Sequence, residues 1–375
     1  MITGYYVFLG GGDYHLPSAI NKQWMVTWDI SDWKIFIDEL LSLDINTLMI
    51  YLNGHKLPYL SRSFSELVDY THPNVIKQFL PEALGYAKDR GLMIIAVITT
   101  TGHAGEYARY NPDAKIIPQQ TAESTEELLL SFPAHMRQGK LAKKEGAAQL
   151  GFGVLCHNKT LGRTYAENIL TELIELYGAY FDGIALHPPE TTYPCCCDDC
   201  KQECFVKTGL AIEALDIYQA RKFFVTSYLE FQNNILIPII NEKLPNNKVM
   251  TFTIPWLFER SLLDISRYLS KYTHIIEWDY NLSPSRLRSL PGRLLNYKML
   301  GLHVWFMPTA GFSFDPSSNA SVQIAALEEQ LRLVDEVSVD GVVHFLGPKL
   351  SAYLIETSYK MLITNKIGGL GLNSF

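Results

Sequence analysis

The sequence holds no apolar stretch long enough to cross a bilayer, and its start, MITGYYVFLGGGDYHLP, lacks a basic stretch followed by a sustained apolar run. A membrane-spanning helix needs about 20 consecutive apolar residues, and an export signal needs that basic-then-apolar order. The expectation is a soluble, cytoplasmic chain with no membrane partner. Basic residues are outnumbered: 32 Lys and Arg against 39 Asp and Glu leave a net charge of -7. Nucleic-acid affinity depends on Lys and Arg neutralising phosphates, so nucleic acid is not expected as a partner. No G-x-G-x-x-G follows any β-rich run, and Gly10 to Gly12 lacks the downstream spacing, which leaves no dinucleotide site. The histidines form no H-x-H or H-x2-3-D group, which argues against a metal-dependent hydrolase built on His55, His103 and His187. Cysteine is scarce. Of six, five crowd between Cys195 and Cys204, where they form a local cluster and cannot staple distant parts of the fold.

What is present is a chain rich enough in apolar residues, at 47%, to bury a large core. Eight short β-branched or aromatic runs recur between amphipathic stretches: Tyr5 to Leu9, Thr47 to Leu52, Met93 to Ile98, Gly183 to Leu186, Val249 to Ile254, Ile275 to Trp278, His303 to Phe306 and Val342 to Phe345. Apolar strands alternating with helices are the pattern of parallel strands covered on both sides. The spacing predicts helices opened at Ser31, near Phe79-Pro81, at about Tyr165 to Tyr177, from Ile212 to Ile240, at Ser283-Pro284, at Ser317 and from Tyr353 to Ile363. Eight alternating units favour an α/β fold of the closed (β/α)8 TIM-barrel type over an open sheet. Residues 1–375 read as one domain, with a long excursion over 111–151 after strand three and a Cys-rich loop over 194–204 after strand four.

In such a barrel the reactive residues follow the C-terminal ends of the strands. That filter selects Asp13, Asn53, His55, His103, His187, Glu190, Trp256, Glu277, Asp279 and Trp305. Trp256, Trp278 and Trp305 end strands five, six and seven, where indole faces suit the apolar face of a sugar ring and equally suit ordinary packing. Splitting a glycosidic bond needs one carboxylic acid to protonate the leaving oxygen and, in most cases, a second carboxylate as nucleophile or base. Glu190 ends HPPE, whose two prolines restrict the backbone ahead of it. Glu277 and Asp279 lie in IIEWDY, on one face by the two-residue period of a strand, and are the candidates for the second carboxylate. The competing reading is that one of them pairs with an arginine.

Several segments in order resemble the β-N-acetylhexosaminidases and related barrel glycosidases such as the α-glucuronidases. LMIIAVITTTGHAGEYARYNPD, from Leu92, is similar to their third strand and P-G-H-x-x-A segment; VLCHN, a helix and YFDGIALHPPE are similar to their L-C-x-x-N segment and fourth strand. The resemblance covers the first half of the chain and implies a glycosidase with Glu190 as general acid and His103 on the P-G-H histidine. Pro189 stands where the family has the aspartate that orients a substrate 2-acetamido group, and its side chain can neither accept nor donate, which speaks against substrate-assisted retention. VVHFLGP lacks the family's Trp and Glu, and no Arg follows the first strand. The expectation is a glycoside hydrolase acting on a small glycoside or oligosaccharide, with no cofactor for catalysis; the alternative is an inactive carbohydrate-binding barrel. In CCCDDCKQEC, Cys195, Cys197, Cys200 and Cys204 have a spacing that suits one structural zinc ion, with disulfides or free thiols as the competing readings.

Overall fold

The computed structural model describes residues 2–8, 29–54, 56–70, 73–117, 153–189, 195–253, 255–278, 284–310 and 320–346. All eight runs expected from the sequence are strands: β1 Ile2–Phe8, β2 Thr47–Tyr51, β3 Met93–Thr99, β4 Gly183–His187, β5 Lys248–Phe252, β6 His274–Trp278, β7 Val304–Met307 and, after a two-residue strand β8 Thr309–Ala310, β9 Gly341–Leu346. Each pairs in parallel with the next, and β1 pairs with β9 from Ile2↔Gly341 to Tyr6↔Phe345, which closes the ring. β8 adds only to the edge of β9. The protein is a (β/α)8 barrel.

Among the described residues the helices of six residues or more between strands are α1 Ile30–Ser42, α2 Phe79–Asp89, α3 Gly105–Tyr110, α4 Thr160–Tyr177, α5 Asp198–Thr208, α6 Ile217–Phe231, α7 Ile237–Lys243, α8 Pro255–Leu269, α9 Pro284–Met299 and α10 Ala320–Asp335. Asp29, and not Ser31, caps α1: its carboxylate accepts from the Ser31 and Asp32 amides while Asp32 returns the bond to the Asp29 amide. The helix expected from Ile212 to Ile240 is interrupted. It begins as a 3-10 turn, restarts behind an Asp216 capping box, and passes through a π-turn over Gln232–Leu236. Pro238, just inside α7, has no amide to give to the preceding turn, and the wider π register accommodates that loss. Most of the excursion, residues 118–151, and the closing helix expected from Tyr353 lie outside the described residues. Among the described residues no helix is long and apolar enough to cross a membrane.

Alternate residues of every strand separate two cores. Tyr6, Met49, Tyr51, Val97, Ala185, Phe252, Ile276, Trp278 and Trp305 fill the barrel interior. Their neighbours, among them Leu48, Ile94, Ile184, Ile275 and Phe306, join the helices in the outer layer. Because both faces are apolar, the strands read as unbroken hydrophobic runs. At the start of β9 the interior is closed by close packing: a Cβ on Gly341 would lie 2.8 Å from the Cβ of Ile2 and 3.1 Å from Cδ1 of Trp305.

Candidate functional site

His187, the last residue of β4, shares the inward side with Ala185 and so faces the C-terminal mouth of the barrel. Four rings surround it, with centroids at 5.1 Å for Phe252, 5.6 Å for His103, 5.9 Å for Trp278 and 6.0 Å for Tyr51. Its Nδ1 lies 2.9 Å from the Pro188 carbonyl oxygen. A carbonyl only accepts, so in this hydrogen bond Nδ1 is the donor, which makes Nε2 the acceptor position of a neutral ring. His103 follows β3 with φ +49, a left-handed conformation that costs a non-glycine residue about 1 kcal/mol or more and persists only where neighbours impose it. Trp278 donates its indole N–H to the Thr253 carbonyl at 2.7 Å. The mouth is thus floored by aromatic and imidazole rings from β2, β4, β5, β6 and the β3 loop. Tyr51 and Phe252 were not singled out in the sequence. Each shares the inward side with a methionine two residues earlier, Met49 and Met250, a phase that the uniformly apolar strands do not show in the sequence.

Other expected residues go elsewhere. Asn53 is buried, and its amide spans β2 and β3, donating to the Thr99 carbonyl at 2.6 Å and accepting from the Thr99 amide at 3.0 Å. It extends the sheet past its last strand pair. Glu277 lies between the inward Ile276 and Trp278, so its carboxylate points to the helix layer. There it accepts from Thr253 Oγ1 at 2.7 Å and from Arg293 Nε of α9 at 3.0 Å, fully buried. The pairing with an arginine, the competing reading in the sequence, is the one the geometry has. Trp305 is inward but low: its ring is 5.2 Å from that of His274, the first residue of β6, and it packs on Gly341, the first residue of β9. It fills the barrel floor and does not reach the mouth. Trp256 falls in the first turn of α8, and its side chain lies outside the described residues, as do Asp13, His55, Glu190 and Asp279. Pro189, directly before Glu190, is buried, with its Cα 3.0 Å from where a Cβ on Gly102 would stand.

A closed parallel barrel with this ring of aromatics can be set beside known structures. The whole chain superposes on a β-galactosidase from the Antarctic haloarchaeon Halorubrum lacusprofundi, with a TM-score of 0.63 at 13% identity, covering 59% of that chain. The fold is glycosidase-like. A β-galactosidase from Marinomonas ef1 gives a TM-score of 0.61 at 11% identity, with 100% of this chain on 61% of that one. A family 20 exo-β-N-acetylglucosaminidase from Vibrio harveyi gives 0.54 at 13%, with 98% of this chain on 57% of that one. The chain therefore spans about six-tenths of the length of these glycoside hydrolases, and at such identities the likeness is one of fold. No protein-family model matches the sequence, and no curated protein matches it.

The cysteine cluster differs from the expected set. Cys156, Cys195, Cys197 and Cys200 are all buried, and their sulfurs lie within 4.8 Å of one another. Cys156 Sγ is 3.5 Å from Cys200 Sγ and 3.8 Å from Cys197 Sγ. Cys204 is not among them. It sits one helical turn beyond Cys200 on α5, about 6 Å further along the axis, and its thiol packs against Ile212, Leu215 and Phe223 and touches Thr208 Oγ1 at 3.6 Å. Its place is taken by Cys156, from the segment 153–158 ahead of α4. No two of the six cysteines are joined in a disulfide. The thiols share protons: hydrogen bonds with its neighbours, Cys156 first, hold Cys197 well below an ordinary thiol, while contact with Cys156 drives Cys200 up.

Backbone and side-chain N–H groups point at these sulfurs. The Ile117 amide donates to Cys195 Sγ at 3.2 Å and Asn158 Nδ2 to Cys200 Sγ at 3.3 Å. Behind Asn158, Ser227 donates to Glu203 at 2.7 Å and accepts from His157 Nε2 at 2.7 Å. Burial pushes the His157 imidazole down to about 4, so it is neutral at pH 7.

Proposed function

We propose that the protein is a glycoside hydrolase acting on a small glycoside or oligosaccharide, with Glu190 as the general acid. The observation that carries this reading is the ring set of Tyr51, His103, His187, Phe252 and Trp278 at the mouth of a glycosidase-like barrel. Ring faces of that size suit the apolar face of a pyranose. Glu190 follows directly in sequence after the buried Pro189, and the two prolines before it leave the backbone little freedom. In the reaction Glu190 protonates the departing oxygen while a second carboxylate attacks the anomeric carbon or deprotonates water. Glu277, committed to Arg293 on the outer face, is a poor choice for that second role, and Asp279 takes it in this proposal. Nitrophenyl glycosides assayed against wild type and Glu190→Gln test the reading. The expected loss in kcat is about 100-fold or more, and a rate indifferent to that substitution removes the assignment.

The outward turn of Glu277 favours a second reading, a carbohydrate-binding barrel without turnover. Calorimetry that finds micromolar sugar binding with no hydrolysis would select it.

The same proposal gives the barrel a structural zinc ion held by Cys156, Cys195, Cys197 and Cys200. Zinc–sulfur bonds of about 2.3 Å in a tetrahedron set sulfurs about 3.8 Å apart, close to the 3.5 and 3.8 Å separations here. Four thiolates leave no position for water, so such an ion would brace the fold and supply no Lewis acid to the reaction.

A further inference from the structure

The thiol cluster is joined to the mouth by main-chain hydrogen bonds on two sides. Cys156 ends a short returning segment whose Leu155 amide donates to the Thr101 carbonyl at 2.8 Å, while the Gly153 carbonyl accepts from Ala104 at 3.1 Å. These bonds bracket His103 from both directions. Gly153 can run this close only without a side chain, since a Cβ there would stand 2.3 Å from Gly105 Cα. On the other side, the Cys196 amide donates to the Ile117 carbonyl at 2.6 Å, and the Cys156 amide to the Ala114 carbonyl at 2.9 Å. Three segments, 114–117, 153–158 and 195–200, therefore meet at the four sulfurs. One of them fixes the left-handed turn at His103, and another stands a few residues after Pro189.

We propose that a divalent soft cation bound by Cys156, Cys195, Cys197 and Cys200 sets the position of His103 in the barrel mouth, so that the ligand-binding rings are assembled only when the thiols are metallated. This rests on the zinc site of the preceding section and not on turnover. Without a cation the sulfurs of the returning segment and of the 195–200 loop are joined by nothing stronger than thiol contacts at 3.5 and 3.8 Å, and the tie between those segments is correspondingly loose. Without that tie the left-handed turn at His103 loses one of the constraints that hold it, beside the bonds at Thr101 and Ala104 and the ring contacts with Tyr51 and His187. His103 is then a positioned residue and the cluster its positioning element.

The test uses the whole chain, purified with zinc present, and reads metal content together with the imidazole Cε1–Hε1 resonances of His103 and His187, assigned through His103→Gln and His187→Gln. Wild type and Cys204→Ser are expected to hold zinc at a ratio of about one per chain, and Cys156→Ser to lose most of it. Stripping zinc from wild type with a chelator is expected to shift or broaden the His103 resonance, and returning zinc to restore it. Should Cys156→Ser fail to fold, the strip-and-return experiment on wild type carries the test alone. Wild type without zinc, or Cys204→Ser losing zinc as fully as Cys156→Ser, overturns the site. Zinc removed with the His103 resonance unmoved overturns the coupling while leaving the site intact. Neither readout involves hydrolysis, so a failure of the glycosidase reading is seen separately in the nitrophenyl assays.

Discussion

Glu277 and Arg293 form an ion pair sealed between β6 and α9, with Nε 3.0 Å from Oε1 and side-chain exposures of 0% and 6%. Thr253 donates to the other carboxylate oxygen, and Arg293 also donates to the Arg286 carbonyl and Ser289 Oγ, so the charges are hydrogen-bonded as well as paired. Breaking such a pair from one side leaves a buried charge without its counterion and costs about 3–5 kcal/mol. Arg293→Met is therefore expected to lower stability by that amount in urea denaturation. Replacing both residues together, Glu277→Gln with Arg293→Met, should recover part of the loss. Sugar binding, measured without denaturant at a temperature well below unfolding, should be unchanged in both, which separates this pair from the proposed carboxylates Glu190 and Asp279.

Trp278 and Trp305 look alike in the sequence, each at the end of an apolar run, and the barrel separates them. Trp278 stands among the mouth rings and Trp305 on the floor above Gly341. Trp278→Ala is expected to weaken ligand affinity by about tenfold, the loss of one ring face worth about 1.4 kcal/mol. Trp305→Phe should leave affinity alone and lower stability by about 1–3 kcal/mol through the void it opens. Calorimetric titration beside thermal unfolding reads both. Equal effects on binding would show that the floor and the mouth are not distinct.

All eight strands were legible because β-branched and aromatic runs alternate with amphipathic helical stretches, a pattern expected of parallel strands covered on both faces. That same double covering hid which way Glu277 points. When inward and outward neighbours are equally apolar, as Ile275 and Ile276 are, the alternation has no visible phase, and only the pairing with Arg293 supplies it. For the same reason Tyr51 and Phe252 passed as core. The local spacing of CCCDDCKQEC made Cys204 look like a fourth ligand, whereas Cys156 lies 39 residues before Cys195 and meets it only because Leu155 bridges to Lys115 beside the same loop. Contacts made by tertiary closure leave no mark in spacing.

His344 is fully buried on β9, neither ring nitrogen has a partner among the described residues, and burial pushes its pKa down to about 3. An unfolded histidine titrates near 6.5. The folded state thus binds fewer protons than the unfolded state at every pH between about 3 and 6.5, so this group's contribution to stability is intact above pH 6.5 and is lost as pH falls toward 3. Between pH 6.5 and 5 the loss from one such group is about 2 kcal/mol. His344→Leu is expected to flatten the pH dependence of the urea midpoint by that amount relative to wild type. An identical slope in the variant would mean that His344 is not held neutral.

Gly102 lies where the β3 loop meets the HPPE segment. A Cβ there would stand 3.0 Å from Pro189 Cα, 3.2 Å from Thr99 Oγ1 and 3.5 Å from the Pro188 carbonyl oxygen. The nearest of these is backbone locked by proline, which cannot swing aside as a flexible side chain would, so the methyl must push the His187–Pro189 segment outward. Overpacking of this kind costs about 1–3 kcal/mol. If that segment aims Glu190, Gly102→Ala should lower kcat on a nitrophenyl glycoside by about tenfold or more, because a misplaced acid loses its in-line approach to the leaving oxygen. The control is Gly292→Ala, inside α9 with nothing within 4 Å of the added Cβ. It should raise stability by about 0.5–1 kcal/mol and leave kcat untouched. A Gly102→Ala protein that is destabilised to the expected degree yet keeps full kcat would show that the paired prolines fix the backbone without aiming the acid.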